Sequence, residues 1–391
     1  MRIIFLHPHF TSAGGAGRAV LETGSRLAAR GHHVHCVCIR ADQRFVDGYA
    51  GIEFHETGGP LSSSLWFWLR FSAGCKKINA AVNRIVSEAN AEPCVLYPQV
   101  FPANWWAAEI LKLQPGLVCV WYCQEPSAFI HSRAWINALP WPKNWIASLL
   151  NPILKKMDLK RATCFTKVLV NSDFSKRYAQ SIYAYDNDQC RTVYLGVDPE
   201  RFNAVSSAEN RLPWVIVIAK LTRFKNVDRI IEAIRLLATD GHSSVHLHIV
   251  GTGDAEGSLR RLVDQFELSK QVTFHGNATD CELSDLLKKS MALCLASDDE
   301  PFGLVAIEAM ACGTPVVAVD SGGPKEILSN SGAGILVPTG SSAEFASAIA
   351  TIIDSKDAFD TMSQAAIRRA GDFEWERTVD RLEAVFKGCL N

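Results

Sequence analysis

Two successive trains of short β-branched runs dominate this sequence. In the first, apolar runs at 2–6, 34–39, 95–97, 117–122, 168–170 and 192–195 alternate with helix-like stretches such as 18–30, 76–89 and 104–113. Strands that are apolar throughout, rather than alternating in polarity, belong to parallel sheets covered by helices on both faces. After about residue 203 the chain turns polar through 205–210. The rhythm then restarts at 214–219, 245–250, 272–274, 292–296, 315–319 and 334–337. The expectation is an α/β chain with two Rossmann-like, doubly wound domains. The first covers 1–204, the second 205–373, and a final helix at 374–391 packs back on the first. A length of 391 residues agrees, at roughly 100 to 200 residues per domain.

Composition narrows the class. Hydrophobic residues make up 48% and charged residues 21%, enough apolar material for packed cores and too little charge for a disordered chain. Lys plus Arg number 40 against 41 Asp plus Glu, a net charge of −1, so bulk charge points to no nucleic-acid partner. The twelve cysteines form no C-x-x-C pair, and most lie in apolar runs, as free thiols do in a reducing cytoplasm. The opening Met-Arg-Ile-Ile-Phe-Leu lacks the apolar length and cleavage site of a signal peptide. No run reaches the roughly 18 apolar residues of a spanning helix. A cytoplasmic protein is expected, peripheral on a membrane at most.

In open α/β sheets, ligands bind beyond the carboxyl ends of the strands, where two such domains would face each other across a cleft. Four loops there carry chemistry. Gly14-Gly15-Ala16-Gly17-Arg18 lies between a strand and a helix, where backbone N–H groups can meet an anion; it is either such a site or a plain turn. It is not a dinucleotide fingerprint, because Ala19 and Val20 follow Arg18. Gly251-Thr-Gly253 repeats the idea, with tight packing as the competing reading. Lys220-Leu-Thr-Arg223-Phe-Lys225 sets three cations in six residues after a strand, suited to a diphosphate. Most specific is Glu300-Pro-Phe302-Gly303-Leu304, followed by Glu308: a helix start for phosphate with a carboxylate on either side for sugar hydroxyls. Glu308 sits in an apolar helix face, where a carboxylate normally needs a partner.

With Val170-Asn171-Ser172-Asp-Phe-Ser175, Gly196-Val-Asp198-Pro-Glu-Arg-Phe202 and the segment around Trp375, these motifs make the chain resemble glycosyltransferase family 4 from about His7 to Trp375. The resemblance implies the GT-B architecture, two Rossmann-like domains facing a central cleft. The second domain would bind a GDP- or UDP-sugar and the first the acceptor, a glycan or lipid-linked hydroxyl. His7-Pro8, Tyr122-Cys-Gln124-Glu-Pro126 and Lys225-Asn226 further resemble mannosyltransferases of lipid-linked oligosaccharide assembly. By this likeness a hexose of mannose or glucose type is transferred with retention. Glu300, Lys225, Lys220 and Gln124 would act at the reacting centre. Gly15, Ala16, Arg223, Gly251, His275, Gly276, Phe302, Gly303, Leu304 and Glu308 would hold the donor. Two positions depart from the family. Lys220 stands where Arg is usual, a point charge without a fork, and Gln124 stands where relatives carry His, so no imidazole titrates there.

No cofactor or metal is expected. His246 and His248 alternate on one strand without a third ligand and read as structural. Asp186-Asn-Asp188 fits a D-x-D metal pattern but has turn composition. A segment at 65–71, with Trp135, Trp141 and Trp145 and then Lys155, Lys156, Lys160 and Arg161, fits either a core or an anionic membrane surface. Two rivals stay open. A nicotinamide-dependent oxidoreductase would need an intact glycine fingerprint and an acidic residue about 20 positions on. A non-catalytic glycan-binding protein would share the fold.

Overall fold

The computed structural model describes residues 1–11, 14–61, 64–132, 136, 141–204 and 211–390. The polar segment at 205–210 and Trp135 lie outside the described residues. The chain divides into two compact units, one made of Met1–Tyr194 and Glu376–Asn391, the other of Leu195–Trp375.

The first unit holds strands β1 (Arg2–Leu6), β2 (His9–Phe10), β3 (His33–Cys38), β4 (Arg40–Ala41), β5 (Ile52–Glu56), β6 (Cys94–Pro98), β7 (Val118–Tyr122), β8 (Lys167–Val170) and β9 (Cys190–Thr192). Its seven-stranded sheet runs β5-β3-β1-β6-β7-β8-β9, with every pair parallel, while β2 and β4 form a separate short pair. The second unit holds β10 (Trp214–Ile218), β11 (His246–Val250), β12 (Val272–Gly276), β13 (Ala292–Leu295), β14 (Val316–Val319) and β15 (Gly334–Val337). They form a parallel six-stranded sheet in the order β12-β11-β10-β13-β14-β15. Both sheets are doubly wound, as the two trains of apolar runs require.

The differences have local causes. β5 is absent from the expected strands because Ile-Glu-Phe-His-Glu breaks the apolar run with polar residues: it is an edge strand whose residues are half-buried or exposed. Of the run expected at 192–195 only Thr192 is strand, as the last residue of β9. The first boundary falls at 194/195 rather than 204/205, and the return at 375/376 rather than 373/374. The reason lies in Val197, whose N–H donates to Phe373 O at 2.8 Å and which bridges to Glu374, tying 195–204 into the second unit.

Burial of the central strands is complete, with Ile3, Ile4, Phe5 and Leu6 of β1 fully enclosed. Trp105, Trp106 and Trp121 anchor the first unit's core, and each such ring buries on the order of 150 to 250 Å². In the second unit the helix Val227–Thr239 lays Ile230, Ile231 and Ile234 against the sheet. Capping boxes fix two helix starts there, Thr279 with Glu282 and Ser341 with Glu344.

Candidate functional site

In the second unit the strand order reverses between β10 and β13, and the loops leaving these neighbours carry the cations and the Glu300 motif. Such a switch point is where open α/β sheets bind ligands. After β10 the chain makes a short 3-10 turn at Arg223–Lys225, then a left-handed residue, Asn226, at φ 47°. Asn226 holds this unusual conformation because its Nδ2 donates to Ala296 O at 3.0 Å and to Asp298 Oδ2 at 3.1 Å. Arg229 clamps Asp298 with two hydrogen bonds of 3.0 Å. Loop and helix start are thereby tied to the end of β13.

That tie brings Lys225 to Glu300, with Nζ donating to Oε2 at 2.5 Å. Both are partly exposed, so each remains reachable while neutralising the other. Lys220 and Arg223 are exposed beside them and form no ion pair among the described residues. The Glu300 loop is fixed from behind by Gly323 N–H, which donates to Glu300 O at 2.7 Å, and by Ser321 Oγ, which accepts from Asp299 N–H at 3.1 Å. Gly322 sits at φ 66°, and a Cβ there would run into the Glu300 backbone, so only glycine allows this approach.

The helix Leu304–Ala311 begins at Gly303, three residues past Glu300, presenting N–H groups beside the Lys225–Glu300 pair. Glu308 is 3% exposed on this helix. Phe302 is equally buried, with its ring edge-on to Phe373 at 6.0 Å, so its side chain anchors the loop. Gly251 and Gly253 pack tightly: a Cβ at Gly251 would meet Ala219 O, and one at Gly253 would meet Leu221 O. Gly251 N–H donates to Gly276 O at 2.7 Å, joining the ends of β11 and β12. His275 beside it is exposed and shares a 2.8 Å hydrogen bond with His248. Burial pushes His248 down to about 4 and lowers His246 as well, and His246 bonds Thr273 at 2.8 Å.

In the first unit Gly15 and Ala16 open the helix Gly15–Ala29, and Gln124 Nε2 donates to Ala16 O at 3.5 Å. The structure thus joins Ala16 and Gln124 in one unit, and Lys220, Arg223, Lys225, Glu300, Gly303 and Leu304 in the other. Asp186 and Asp188 do form a turn: Asp186 Oδ1 accepts from the N–H of Asp188 and Gln189 at 2.8 and 2.7 Å, and Asp188 pairs with Lys167 and Arg191.

The sequence did not single out Asp158, nor did it show how deeply His7 is buried. Asp158, fully buried on the helix Lys143–Ala162, accepts from Trp105 Nε1 at 2.6 Å and Tyr183 Oη at 2.8 Å, and meets His131 Nε2 at 2.8 Å. His7, beside the Gly15 turn, is buried against Phe10, and burial lowers its pKa to about 3. An unfolded histidine protonates near 6.5, so between pH 6.5 and 3 the unfolded chain binds a proton that the folded chain does not. The stability His7 confers is therefore present above pH 6.5 and lost as pH falls toward 3. His7→Gln is expected to flatten urea midpoints between pH 7 and 4.5. Parallel acid loss in both proteins would assign the sensitivity elsewhere.

Two doubly wound parallel-sheet units, one with a lysine–carboxylate pair and a helix start at its switch point, are those of the GT-B fold class. The description "Glycosyltransferase Family 4" matches residues 13–201 and "Glycosyl transferases group 1" matches 199–369, together nearly the whole chain. The chain belongs to glycosyltransferase family 4. D-inositol 3-phosphate glycosyltransferase 1 of Catenulispora acidiphila is 30% identical over 226 residues, 54% of this chain and 54% of its own. D-inositol 3-phosphate glycosyltransferase of Mycolicibacterium smegmatis is 29% identical over 240 residues, 58% of this chain and 53% of its own. The chain thus spans about half the length of the curated relatives it matches. In fold, sucrose-phosphate synthase of Thermosynechococcus elongatus aligns with a TM-score of 0.81 at 21% identity, covering 99% of this chain and 98% of that one. Anabaena HepE, solved with UDP and glucose, aligns at 0.77 and 19% identity, covering 99% and 100%.

Proposed function

We propose that this glycosyltransferase moves a hexosyl group from a nucleoside-diphosphate sugar to a hydroxyl of a glycan or lipid-linked acceptor, with retention at the anomeric carbon. The observation that carries the reading is the Lys225–Glu300 pair beside the Gly303 helix start, at the switch point of the second unit. Lys225, Lys220, Arg223 and the helix N–H groups offset the leaving diphosphate, Glu300 holds hexose hydroxyls, and Glu308 the ribose. The C1–O bond to the diphosphate breaks, the acceptor oxygen bonds C1, and the departing phosphate takes the acceptor's proton. Gln124, in the first unit with the Gly15 turn, orients the acceptor hydroxyl. The UDP and glucose bound to Anabaena HepE support a UDP-sugar as first donor to try. The relatives named for inositol 3-phosphate add that molecule to the acceptors to screen.

Cations supplied by side chains make added metal unnecessary at the diphosphate. The test is a transfer assay with GDP-, UDP- and ADP-sugars in excess EDTA or in Mg²⁺. Turnover retained in EDTA, and in Asp186→Ala/Asp188→Ala, is expected. Loss in both would overturn the lysine-based site.

The acceptor reading is supported by an exposed apolar stripe. Trp145, Leu149 and Ile153, four residues apart, lie 60 to 64% exposed along the helix Lys143–Ala162, with Ile146 and Leu150 alongside and Trp141, 82% exposed, just before the helix. Lys155, Lys156 and Lys160 follow, whereas Arg161 turns inward, paired with Glu109 at 2.8 Å and stacked over Trp105. Among the described residues no helix is long and apolar enough to cross a membrane. The stripe with its lysines fits the headgroup layer of an anionic membrane, each cation adding on the order of 1 kcal/mol. Replacing the three lysines by glutamine is expected to release the protein from phosphatidylserine-containing vesicles at low salt. An unmodified protein that ignores such vesicles would refute this surface.

A further inference from the structure

Three side chains with metal-ligating atoms meet on one face of the first unit's sheet, apart from the loops that carry the candidate transfer site. β3 and β5 run parallel with His35 opposite Glu53 and Val37 opposite His55. Residues two apart on a strand share a face, so His55 stands beside Glu53 and next to His35. Their ligating atoms stand close together, with a different oxygen of the Glu53 carboxylate turned to each imidazole. His35 Nδ1 lies 3.0 Å from His55 Nε2 and 3.3 Å from Glu53 Oε2, and His55 Nε2 lies 3.3 Å from Glu53 Oε1. A tetrahedral ion with ligand bonds of about 2.0 to 2.1 Å spaces its ligand atoms about 3.3 to 3.4 Å apart. The three groups already stand at nearly that spacing.

We propose that His35 Nδ1, His55 Nε2 and the Glu53 carboxylate form a binding site for one divalent transition-metal ion of the zinc class. Two imidazoles and a carboxylate match the nitrogen and oxygen donors such ions take, and three protein ligands leave a fourth position open. That position faces water, since the Glu53 side chain is 64% exposed while those of His35 and His55 are 9% exposed. Burial lowers the pKa of both histidines, which favours the neutral ring that ligates. The charged groups acting on the pair are Glu53, Arg2 and His33 at His35, and Glu53, Arg84 and Glu88 at His55.

Arg84 is the local competitor. Its guanidinium lies 3.1 Å from His55 Nδ1 and so favours the tautomer with the proton on Nε2, the atom that must face the metal. Metal binding moves that proton to Nδ1 and turns the exposed Arg84 side chain outward. The ion would cross-link the edge strand β5 to β3, and a ligand that binds only the folded state raises stability with its concentration.

The full chain, stripped by chelator and dialysed, is titrated with Co²⁺, with Zn²⁺ as competitor, and followed by visible absorption and calorimetry. One equivalent should give the absorption of a tetrahedral nitrogen–oxygen site and raise the thermal midpoint. Glu53→Gln, a change at an exposed side chain, should weaken Zn²⁺ by about 100-fold. His35→Ala/His55→Ala should abolish binding, while Arg84→Ala should tighten it. Binding unchanged in Glu53→Gln, a thiolate charge-transfer band in place of the nitrogen–oxygen spectrum, or no bound ion at all would each overturn the site.

Discussion

Lys225→Ala is expected to lower kcat by about 10²- to 10³-fold, the usual cost of losing one pre-placed group that stabilises developing charge. The same change should weaken the donor and the free nucleoside diphosphate alike, because the proposed role of Lys225 is on the phosphates they share. Glu300→Ala should behave differently, weakening the sugar conjugate far more than the free diphosphate, by about 1.5 to 3 kcal/mol for a lost charged hydrogen bond. Since Lys225 and Glu300 pair at 2.5 Å, each single change also leaves its partner alone, so the double variant completes the comparison. Calorimetry with both ligands reads all three. Equal losses of donor and diphosphate in Glu300→Ala would remove Glu300 from the sugar.

The largest expected effect on stability comes from Arg211→Ala. Arg211 is 8% exposed, and its guanidinium donates to Leu287 O, Ser290 O, Thr314 Oγ1 and Cys312 O at 2.7 to 2.8 Å. Those acceptors lie where the chain enters β13 and β14, the strands that carry the Glu300 loop and its backing. Removing the cation takes the guanidinium from Ser290 O and Cys312 O, while Leu287 O keeps Ser290 N–H and the Thr314 hydroxyl, so two lost partners at about 1 to 3 kcal/mol each give an expected loss of about 2 to 6 kcal/mol before relaxation. Urea unfolding measures it. A loss below about 1 kcal/mol would show that water replaces the guanidinium without penalty.

How much of this was legible beforehand depends on how local each cause is. The central strands could be read because burial on both faces leaves nothing but apolar residues in them. β5 could not, since an edge strand shows its polar face in the sequence. The switch-point loop was visible through Lys225 and Glu300, which lie 75 residues apart yet each follow an apolar run. The packing of Gly251 was not, because a glycine spared for a ligand and one spared for Ala219 O look identical in one dimension. Aromatic residues carried the same ambiguity. Trp68 packs among Phe71, Phe101 and Phe129, while Trp66, two positions earlier, is 63% exposed. The triangle of His35, Glu53 and His55 exists only through the β3–β5 register, and no short-range pattern reports a register.

The first unit is discontinuous in sequence, and this bears on how the chain is made. Its closing helix, Trp375–Leu390, contributes Leu382 and Phe386 to the core, with Phe386 edge-on to Tyr97 at 5.0 Å, and Glu376, Asp380 and Glu383 to Arg30. During synthesis the whole of Leu195–Trp375 emerges before that helix does. Of the two units, the earlier-encoded one is therefore completed only after the other, and at ≈ 5 to 20 residues per second its Tyr97 wall stays uncovered for roughly 15 to 60 seconds. A nascent chain of this protein offers that apolar surface to chaperones throughout the interval, and the later-encoded unit can fold while the earlier one waits for its last helix.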